Sequence, residues 1–587
     1  MNVPRPEYPR PQMVRDNWIC LNGQWDFAFD DQNCGLREKW FRVDRPFEHM
    51  IQVPFAYQSV LSGHGVNEMH DVVWYRRKID IAKVRAGNRV ILHFGAVDYL
   101  AHVWVNGDLA IIHEGGHVPF AADITDWVVD DNIIVVRAED PAARLDQPRG
   151  KQYWEPISAG IFYTRTTGIW QSVWIEIVPP VYISRLKITP DISSNSVDLQ
   201  CHVEGMTLDK AATIEWTVLL RDQPVARDSC SLKSSPFKRR VTLNVDGHPE
   251  RDVYWSPEHP NLFDLTVTVR TEDGSTEDMV TSYFGLRSIA VKGGVVMLNN
   301  RPYYMKMVLD QGYFPEGILT PPTDDAIRRD IELTKEMGFN GARKHQKVED
   351  PRYLYWCDHL GLLVWGEMAN SYLYSEQAVQ RIGREWQEAI ERDFNHPCIV
   401  AWVPVNESWG VPDLLNDERQ RAHTLSLYYL IKSIDSTRLV VSNDGWEHTK
   451  SDLITIHDYD SRKESIKARY RDVATILRAT PGGKLLLCEG FPYDDQPLMV
   501  TECGGIALKK NDWEGWGYSG ATSEEDFIAR YAAVVESIQE SPVIQGFCYT
   551  QLTDVEQEIN GLLTYDRKPK VPLDAIARVN RKGGSRV

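Results

Sequence analysis

The sequence predicts a multidomain protein in which two β-sandwich domains precede a (β/α)₈ barrel. Its 587 residues are too many for one ordinary domain and suggest two to four. Apolar and polar residues alternate through the first half, as in antiparallel sheets, whereas strand-like runs alternate with amphipathic helices from about Leu298 onward. Hydrophobic residues make up 43% of the chain, so each domain can bury a full core.

The first predicted domain, residues 1–180, consists of short strands. Residues 90–94 form an apolar run, and residues 101–105 alternate in polarity before the pair Asn106-Gly107. This pair predicts a hairpin, because Asn and Gly both tolerate the positive φ angles of a type I′ turn. The pair Pro179-Pro180 then interrupts the pattern and predicts a domain boundary.

The second predicted domain, residues 181–287, shows the clearest alternation. Apolar residues occupy every second position in three runs, at 197–203, 214–220 and 265–269. Period-2 alternation indicates strands with one buried and one wet face. A stretch of about 100 residues of this kind is typical of an immunoglobulin-like sandwich.

The third predicted domain, residues 288–587, contains eight βα units. The helix that follows Thr323 as N-cap is expected to end at Gly338, and a second amphipathic helix covers residues 376–394. Eight such units in about 280 residues fit a (β/α)₈ barrel. The eight predicted strands are residues 304–309, 341–344, 362–367, 399–406, 439–443, 453–459, 499–502 and 544–549.

Charge and processing signals exclude several classes of protein. The 65 Lys and Arg against 83 Asp and Glu give a net charge of −18, which argues against nucleic acid or an anionic membrane as partner. No apolar signal sequence or membrane span is visible, so a cytoplasmic location is expected. The nine cysteines lack any C-x-x-C pair and are expected to be reduced. Homo-oligomerisation is left open.

Active sites of such barrels lie at the C-terminal ends of the strands. Polar and aromatic residues stand at seven of the eight predicted ends. Each could be a helix cap or a turn residue, but so many converging carboxylates and bases favour a reaction site. The candidates are Asp310, Arg343, His345, Glu367, Asn406, Glu407, Trp409, His457, Tyr459, Glu502 and Tyr549.

Two carboxylates, Glu407 and Glu502, carry the chemical argument. Each follows a nearly apolar strand, the fourth and the seventh, and these strands face each other across the barrel mouth. A pair of carboxyl groups flanking a cavity is what glycoside hydrolysis needs. One must be protonated to assist the leaving oxygen, and the other must be ionised to attack the anomeric carbon.

Each carboxylate lies in a short motif, Asn406-Glu407-Ser408-Trp409-Gly410 for the first and Thr501-Glu502-Cys503-Gly504-Gly505 for the second. These motifs resemble the acid/base motif and the nucleophile strand of glycoside hydrolase family 2, the family of β-galactosidases, β-mannosidases and β-glucuronidases. Further matches follow in family order. Residues 105–120 resemble its jelly-roll domain, residues 255–262 its sandwich domain, and residues 283–287 and 298–302 its entry into the barrel.

The resemblance implies a retaining mechanism with Glu502 as nucleophile and Glu407 as acid/base, their carboxyl groups about 5–5.5 Å apart. It implies further that Asn406 binds the sugar 2-hydroxyl, that Tyr459 hydrogen-bonds the nucleophile and that Arg343 supports it. No metal and no other cofactor is implied for the chemistry.

Departures from the family pattern concern the substrate. Leu562 stands where β-glucuronidases carry a lysine that holds the sugar carboxylate, so a glucuronide is disfavoured. The first strand ends in Asp310, and His345 is displaced by one position relative to familiar members. Glu367 aligns with a magnesium-binding carboxylate of large β-galactosidases, but companion ligands are not evident. A β-galactoside is the first candidate substrate, and galactofuranosides and α-L-arabinosides stay open.

Several residues admit two interpretations. Lys344 could bind a sugar carboxylate or pair with an acid beside strand two, and His457 and Asp458 could contact sugar hydroxyls or cap a loop. The loop at residues 149–154 could shape the pocket or plug a domain interface. One or two of four loop tryptophans are expected to line the pocket; they are Trp409, Trp446, Trp513 and Trp516.

Two other classes of function compete with a glycosidase. The first is a carbohydrate-binding protein that has lost catalysis, which the presence of both carboxylates disfavours. The second is a metal-dependent barrel enzyme with Glu367, His345 and His457 as ligands, which is weakened because no H-x-H or similar ligand spacing occurs.

Overall fold

The structure, a computed structural model, describes residues 3–42, 47–81, 87–206, 212–510 and 514–582. It contains two β-sandwich domains followed by a barrel of parallel strands and helices, which confirms the predicted fold class. Each domain has its own cluster of buried apolar residues. The domain limits at residues 180 and 287 stay predictions.

Two antiparallel sheets pack together in the first domain. The four-stranded sheet has the order β1-β12-β5-β9, and the six-stranded sheet has the order β3-β2-β4-β10-β7-β8. The predicted turn joins β7 to β8, with φ of +54° at Asn106 and +91° at Gly107. The strands are β1 Trp18–Cys20, β2 Gly23–Phe29, β3 His49–Val53, β4 Val72–Ile79, β5 Arg89–Phe94, β6 Val97–Asp98, β7 Leu100–Val105, β8 Asp108–Glu114, β9 Phe120–Asp123, β10 Asn132–Glu139, β11 Gly168–Ile169 and β12 Val173–Val178.

The second domain is a sandwich of a three-stranded sheet (β13-β14-β17) and a four-stranded sheet (β16-β15-β18-β19). Its alternating residues point inward as predicted, and Trp216 is 1% exposed in the shared core. The strands are β13 Tyr182–Asp191, β14 Ser196–Glu204, β15 Ala212–Leu220, β16 Gln223–Leu232, β17 Phe237–Thr242, β18 Phe263–Thr271 and β19 Glu277–Phe284.

Three short antiparallel strands, β20 Ile289–Lys292, β21 Val295–Leu298 and β22 Arg301–Pro302, lead into the barrel. The barrel sheet has the order β27-β26-β25-β24-β23-β32-β29-β28, and all eight predicted strands are present. A hydrogen bond connects its two ends, since the backbone N–H of Gly445 donates to Thr455 Oγ1 at 2.9 Å. The strands are β23 Met305–Asp310, β24 Gly341–Lys344, β25 Leu363–Glu367, β26 Ile399–Val403, β27 Leu439–Val440, β28 Ile454–Asp458, β29 Leu498–Gly504 and β32 Ile544–Thr550, with β30 Ile506–Ala507 and β31 Ser519–Gly520 as a separate pair.

In the part of the chain that the structure describes, eight α-helices surround the strands or connect them. The predicted cap is present, since Thr323 Oγ1 accepts from Ala326 N–H at 3.0 Å, and Gly338 follows the helix end with φ of +80°. None of these helices, within the described part of the chain, is long and apolar enough to cross a membrane. They are α1 Asp324–Glu336, α2 Pro351–Leu360, α3 Glu376–Asp393, α4 Glu418–Ile434, α5 Lys463–Arg469, α6 Val473–Arg478, α7 Glu524–Gln539 and α8 Leu573–Lys582.

A loop of the first domain docks on the barrel mouth at Gly150. Gly150 N–H donates to the carbonyl of Asn370 at 3.1 Å, and the hydroxyl of Tyr372 donates to the carbonyl of Gly150. A Cβ at Gly150 would lie 2.1 Å from the carbonyl oxygen of Gln346, so only glycine fits this contact. The loop that the sequence left ambiguous therefore reaches the barrel mouth.

Replacement of Gly150 by alanine tests this docking. Gly150 and Gly160 have φ of +60° and +59°, but a Cβ at Gly160 would meet nothing within 4 Å. Both alanine variants lose about 1 kcal/mol from the left-handed backbone. We expect Gly150→Ala to lose about 1–3 kcal/mol more, because its methyl group overpacks the interface. Thermal unfolding that ranks the two variants equally would contradict the tight contact.

Candidate active site

The fourth and seventh barrel strands bring Glu407 and Glu502 together. One carboxylate oxygen of each, and one ring nitrogen of His457, all lie within 4.8 Å of one another. The Glu502 side chain is 7% exposed and that of Glu407 is 21% exposed, so both are sheltered but open to the mouth. The two carboxyl groups are thus close together, as in retaining glycosidases, whereas inverting enzymes keep them about 6.5–9.5 Å apart to leave room for a water molecule.

Arg343, at the end of β24, connects the strands beneath this pair. Its Nη1 donates to Glu502 Oε1 at 3.0 Å and lies 2.6 Å from Asp444 Oδ2. Its Nε donates to Glu367 Oε2 at 2.8 Å, and its Nη2 donates to Asn406 Oδ1 at 2.6 Å. Burial opposes the charge, but Asp444 and Glu367 outweigh it and hold the pKa of Arg343 well above its ordinary value. The guanidinium therefore stays charged and fixes Glu502.

Tyr459 holds the second oxygen of Glu502. Its hydroxyl donates to Glu502 Oε2 at 2.5 Å, and its ring stacks on Tyr518 with centroids 3.4 Å apart. Burial and the charge of Glu502 raise the pKa of Tyr459 well above its ordinary value, so the phenol keeps its proton. Each carboxylate oxygen of Glu502 thus has one fixed donor.

The backbone at Glu407 is held in an unusual conformation. Glu407 and Ser408 have φ of +52° and +61°, in the left-handed region that non-glycine residues rarely adopt. The loop after β27 maintains it, because the carbonyl of Asp444 accepts from Glu407 N–H at 3.0 Å. Asn443 Oδ1 accepts from Ser408 N–H at 2.9 Å. This strained turn directs the Glu407 carboxylate into the mouth instead of along the strand.

His457, on β28, links the two carboxylates to Asp444. Its Nδ1 lies 2.7 Å from Glu407 Oε1 and 3.5 Å from Glu502 Oε2, and its Nε2 lies 3.1 Å from Asp444 Oδ2. Burial works against protonation, but the charges of Glu502 and Asp444 prevail and raise the pKa of His457 to about 10. An imidazolium can donate to Glu407 and to Asp444 at the same time.

By distance alone, Glu407, His457 and Glu502 could hold a metal ion. In the structure these side chains are engaged otherwise, since His457 pairs with Glu407 and Asp444, and Glu502 is held by Arg343 and Tyr459. The other predicted metal ligands were Glu367, His345 and His457. Glu367 is engaged as well, since its Oε1 accepts from both the N–H and the side-chain amide of Gln346.

Aromatic side chains from two domains form one wall of the mouth. Trp409 lies 5.4 Å from Tyr372 of the barrel and 5.8 Å from Phe162 of the first domain, between ring centroids. Trp154 extends the wall, 5.0 Å from Tyr372. Rings arranged in this way present flat apolar surface to a sugar.

Two further predicted residues have clear positions. His345 lies beside the site despite its shift in sequence, with Nδ1 3.2 Å from Arg343 Nη2 and its ring 6.4 Å from that of Trp409. Asp310 accepts from Lys344 Nζ at 2.7 Å, and Glu349 lies 2.7 Å from the same nitrogen. Lys344 therefore pairs with acids, which is the plainer of its two interpretations.

Tyr549 was predicted to line the mouth, but the structure places it elsewhere. It is fully buried, and its ring lies 4.9 Å from Tyr531 on α7. The next residue, Thr550, contacts the Tyr459 hydroxyl at 3.2 Å, and successive side chains of a strand face opposite sides. Tyr549 hence faces the helical layer and not the mouth. Glu367 is likewise fully buried beneath Arg343, so it holds the guanidinium instead of contacting a sugar.

The loop residues divide between the two interpretations. Asp458 accepts from the hydroxyl of Tyr470, at the end of α5, at 2.6 Å, so it stabilises the segment that follows β28. Trp446 lies 5.6 Å from His457, and Trp516 is at the rim, where its Nε1 donates to the carbonyl of Gly160 at 3.0 Å. Trp513 lies outside the described residues.

Sequence reasoning missed Asp444, which contacts both Arg343 and His457. Asp444 could have been predicted, because it lies close to the end of the fifth predicted strand, where no candidate residue was named. Tyr518 was missed because nothing in the sequence marks its stacking on Tyr459. A separate cavity of about 400 Å³ at the domain junction, lined among others by Arg5, His93 and Asn395, contains none of the candidate residues.

Three family models match the chain in sequence order. Residues 19–169 match the sugar binding domain of glycosyl hydrolases family 2, residues 181–287 match the model described as glycosyl hydrolases family 2, and residues 289–581 match its TIM barrel domain. The chain belongs to glycoside hydrolase family 2. The family predicted from the two carboxylate motifs is thereby confirmed.

Relatives of this family 2 chain carry two activities in their names. It is 29% identical over 354 residues to a Formosa agariphila protein named "Putative beta-glucuronidase", with 59% of this chain and 41% of that protein covered. It is 25% identical over 416 residues to a β-galactosidase of Thermoanaerobacter pseudethanolicus, with 69% and 52% covered. The chain thus spans about half the length of these two relatives. A β-glucuronidase of Chlorocebus aethiops is 26% identical over 563 residues, with 84% and 82% covered.

Solved structures of the family share the whole architecture. A β-glucuronidase of an uncultured Clostridium sp. superposes with a TM-score of 0.77 at 21% identity, covering 97% of this chain and 99% of that chain. A β-galacturonidase of Eisenbergiella tayi gives a TM-score of 0.74 at 19% identity, with 98% of each chain covered. At these identities the likeness shows that this family 2 chain has the same fold.

The charge on His457 can be tested through stability. Its pKa is raised from an ordinary 6.5 to about 10, so its charged contacts stabilise the protein fully below pH 6.5 and are lost as the pH rises through 10. We expect the loss of stability in His457→Gln to be largest near pH 6 and to shrink towards pH 10, as measured by urea unfolding.

His448→Gln is the matched control. His448 is also buried, but burial lowers its pKa to about 4, so it is neutral throughout this range. Its effect on stability should stay constant from pH 6.5 to 10. A similarly constant difference for His457→Gln would show that His457 is not charged in the folded protein.

Proposed function

We propose that this chain is an exo-acting retaining glycosidase that hydrolyses terminal β-linked sugars by double displacement. The observation that carries the proposal is the approach of Glu407 and Glu502 within 4.8 Å, with Glu502 fixed by Arg343 and Tyr459. This spacing suits direct attack on the anomeric carbon by one carboxylate and proton transfer by the other.

In the first step, Glu502 attacks the anomeric carbon while Glu407 donates a proton to the leaving oxygen. The glycosidic bond breaks, the aglycone departs as an alcohol and a covalent glycosyl ester forms on Glu502. In the second step Glu407, now ionised, takes a proton from water, and the resulting nucleophile attacks the same carbon. The sugar leaves with its original configuration, and both carboxyl groups regain their starting states.

The neighbouring residues position these groups. Arg343 and Tyr459 occupy one oxygen of Glu502 each, which orients the carboxylate. The Oδ1 atom of Asn406 accepts from Arg343, so the amide NH₂ group is free to bind a sugar hydroxyl. His457 Nδ1 lies 2.7 Å from Glu407 Oε1 and orients this carboxyl group from the barrel interior.

A non-catalytic carbohydrate-binding role fits the site less well. Sugar hydroxyls and an aromatic wall suffice for binding, whereas burial of several carboxylates around one arginine is costly. The cost is explained if the arrangement prepares a nucleophile. Galactofuranosides and α-L-arabinosides gain no specific support from the geometry.

Removal of either carboxylate should reduce turnover strongly. We expect Glu502→Ala to lower kcat by about 10⁴-fold or more, because the nucleophile is missing. Glu407→Ala should lower it by about 10²–10⁴-fold, the usual contribution of a general acid. Azide should partly restore Glu502→Ala and yield a glycosyl azide of inverted configuration. Release of 4-nitrophenol from aryl β-glycosides measures all three effects.

Glu464→Ala is a suitable control, since Glu464 is exposed in the first turn of α5. Its activity should match that of the unchanged protein. Near-normal turnover by Glu502→Ala would reject the nucleophile, and with it the proposed mechanism.

A further inference from the structure

Lys151 places an unpaired ammonium group at the barrel mouth. The residue belongs to the docked loop of the first domain and is 7% exposed. Its Nζ lies 5.2 Å from the ring centroid of Trp409 and 6.0 Å from that of Tyr163. Among the described residues, no carboxylate forms an ion pair with it. A sheltered charge without a partner is costly, unless a ligand supplies the counter-charge.

The lysines of the nearby barrel loops differ in this respect. Lys344 lies between Asp310 and Glu349, at 2.7 Å from each. Lys347 is 3.0 Å from Glu349. Lys484, whose Nζ is 5.8 Å from the ring centroid of Trp446, lies 3.1 Å from Glu447. These cations are neutralised by the protein itself, so Lys151 is available to an anionic ligand.

The backbone around Lys151 is fixed. Gly150 is held against the barrel, and the carbonyl of Lys151 accepts from Tyr163 N–H at 2.9 Å. The Tyr163 hydroxyl in turn donates to Glu558 Oε2 at 2.5 Å, so the loop is tied to the barrel on a second side. This anchoring holds Lys151 against the mouth instead of leaving it in solvent.

The charge of Lys151 acts on the reaction site. Burial, followed by the charges of Arg343 and Lys151, holds the pKa of His345 well below its ordinary value. His345 also faces Trp409, which is two residues from Glu407. A sugar held between the carboxylates and the aromatic wall would therefore lie within reach of the ammonium group.

We propose that Lys151 binds the carboxylate of a hexuronic acid, so that β-hexuronides are the substrates of this site. The inference rests on the retaining glycosidase function proposed above. A single lysine supplies one point charge, which matches the single charge of a carboxylate better than the charge of about −1.5 to −2 that a phosphate ester carries at pH 7. The sequence counted Leu562 against a uronide, but that side chain is buried, and the first domain supplies the cation instead.

Paired substrates test the proposal. The 4-nitrophenyl β-glucuronide and β-galacturonide are each compared with the neutral β-glucoside and β-galactoside. We expect kcat/KM for at least one acid to exceed that for its neutral counterpart by about 100-fold or more, because the loss of a sheltered charge pair commonly costs a factor of this size. Equal or better turnover of both neutral sugars would overturn the proposal.

Substitution of Lys151 assigns the preference to its charge. Lys151→Met should lower kcat/KM for the acid by about 100-fold, mainly through KM, and leave the neutral sugars within about threefold. Lys151→Arg should retain most of the activity because it keeps the charge. Lys450→Met is the control, since Lys450 is exposed and its Nζ lies 5.5 Å from the ring of Tyr429. An equal loss on acids and neutral sugars would contradict the assignment.

Binding provides a readout that is independent of turnover. Calorimetry with Glu502→Gln compares D-glucuronate and D-galacturonate with glucose and galactose at two salt concentrations. Tighter binding of an acid, weakened by salt and by Lys151→Met, supports the proposal, and no preference for the acids rejects it.

If neutral sugars are hydrolysed through Glu502 and the acids are not, the role of Lys151 fails while the glycosidase function stands. If the acids bind but no hydrolysis depends on Glu502, the glycosidase function fails.

Discussion

The site depends on one buried guanidinium. Arg343 is fully buried and contacts Glu502, Asp444, Glu367 and Asn406, which lie on four different strand ends or loops of the barrel. A buried charge of this kind is tolerable only when it is paired and hydrogen-bonded on all sides, so each partner is constrained by the others. The same constraint fixes the orientation of Glu502. It also places Asp444 where it can charge His457 and hold the backbone of Glu407.

The barrel alone does not complete the mouth. Phe162, Trp154 and Lys151 come from the first domain, whose loop is positioned by the close contact of Gly150 with Gln346. The proposed catalytic carboxylates thus stand on one barrel strand and on the turn that follows another, whereas the proposed sugar-selecting surface is shared between two domains. Under this proposal, a change in the loop of the first domain would alter substrate preference while the carboxylates of the barrel keep the same chemistry.

Much of the fold and the central pair of the site could be predicted from the sequence. The eight barrel strands and the carboxylates at Glu407 and Glu502 follow from apolar runs that end in polar residues, which is a local property. Tyr549 was misplaced because a strand end does not reveal which side its last residue faces. Lys151 could not be identified, since whether a lysine is paired depends on contacts between distant segments.

The stereochemistry of the first product tests the central claim, that Glu407 and Glu502 act by double displacement, most directly. Hydrolysis of a 4-nitrophenyl β-glycoside can be followed by proton NMR before the released sugar mutarotates. Two carboxylates whose nearest oxygens lie within 4.8 Å of each other predict that the β-anomer appears first, because two inversions restore the configuration. Initial release of the α-anomer would require a single displacement by water and would contradict the account.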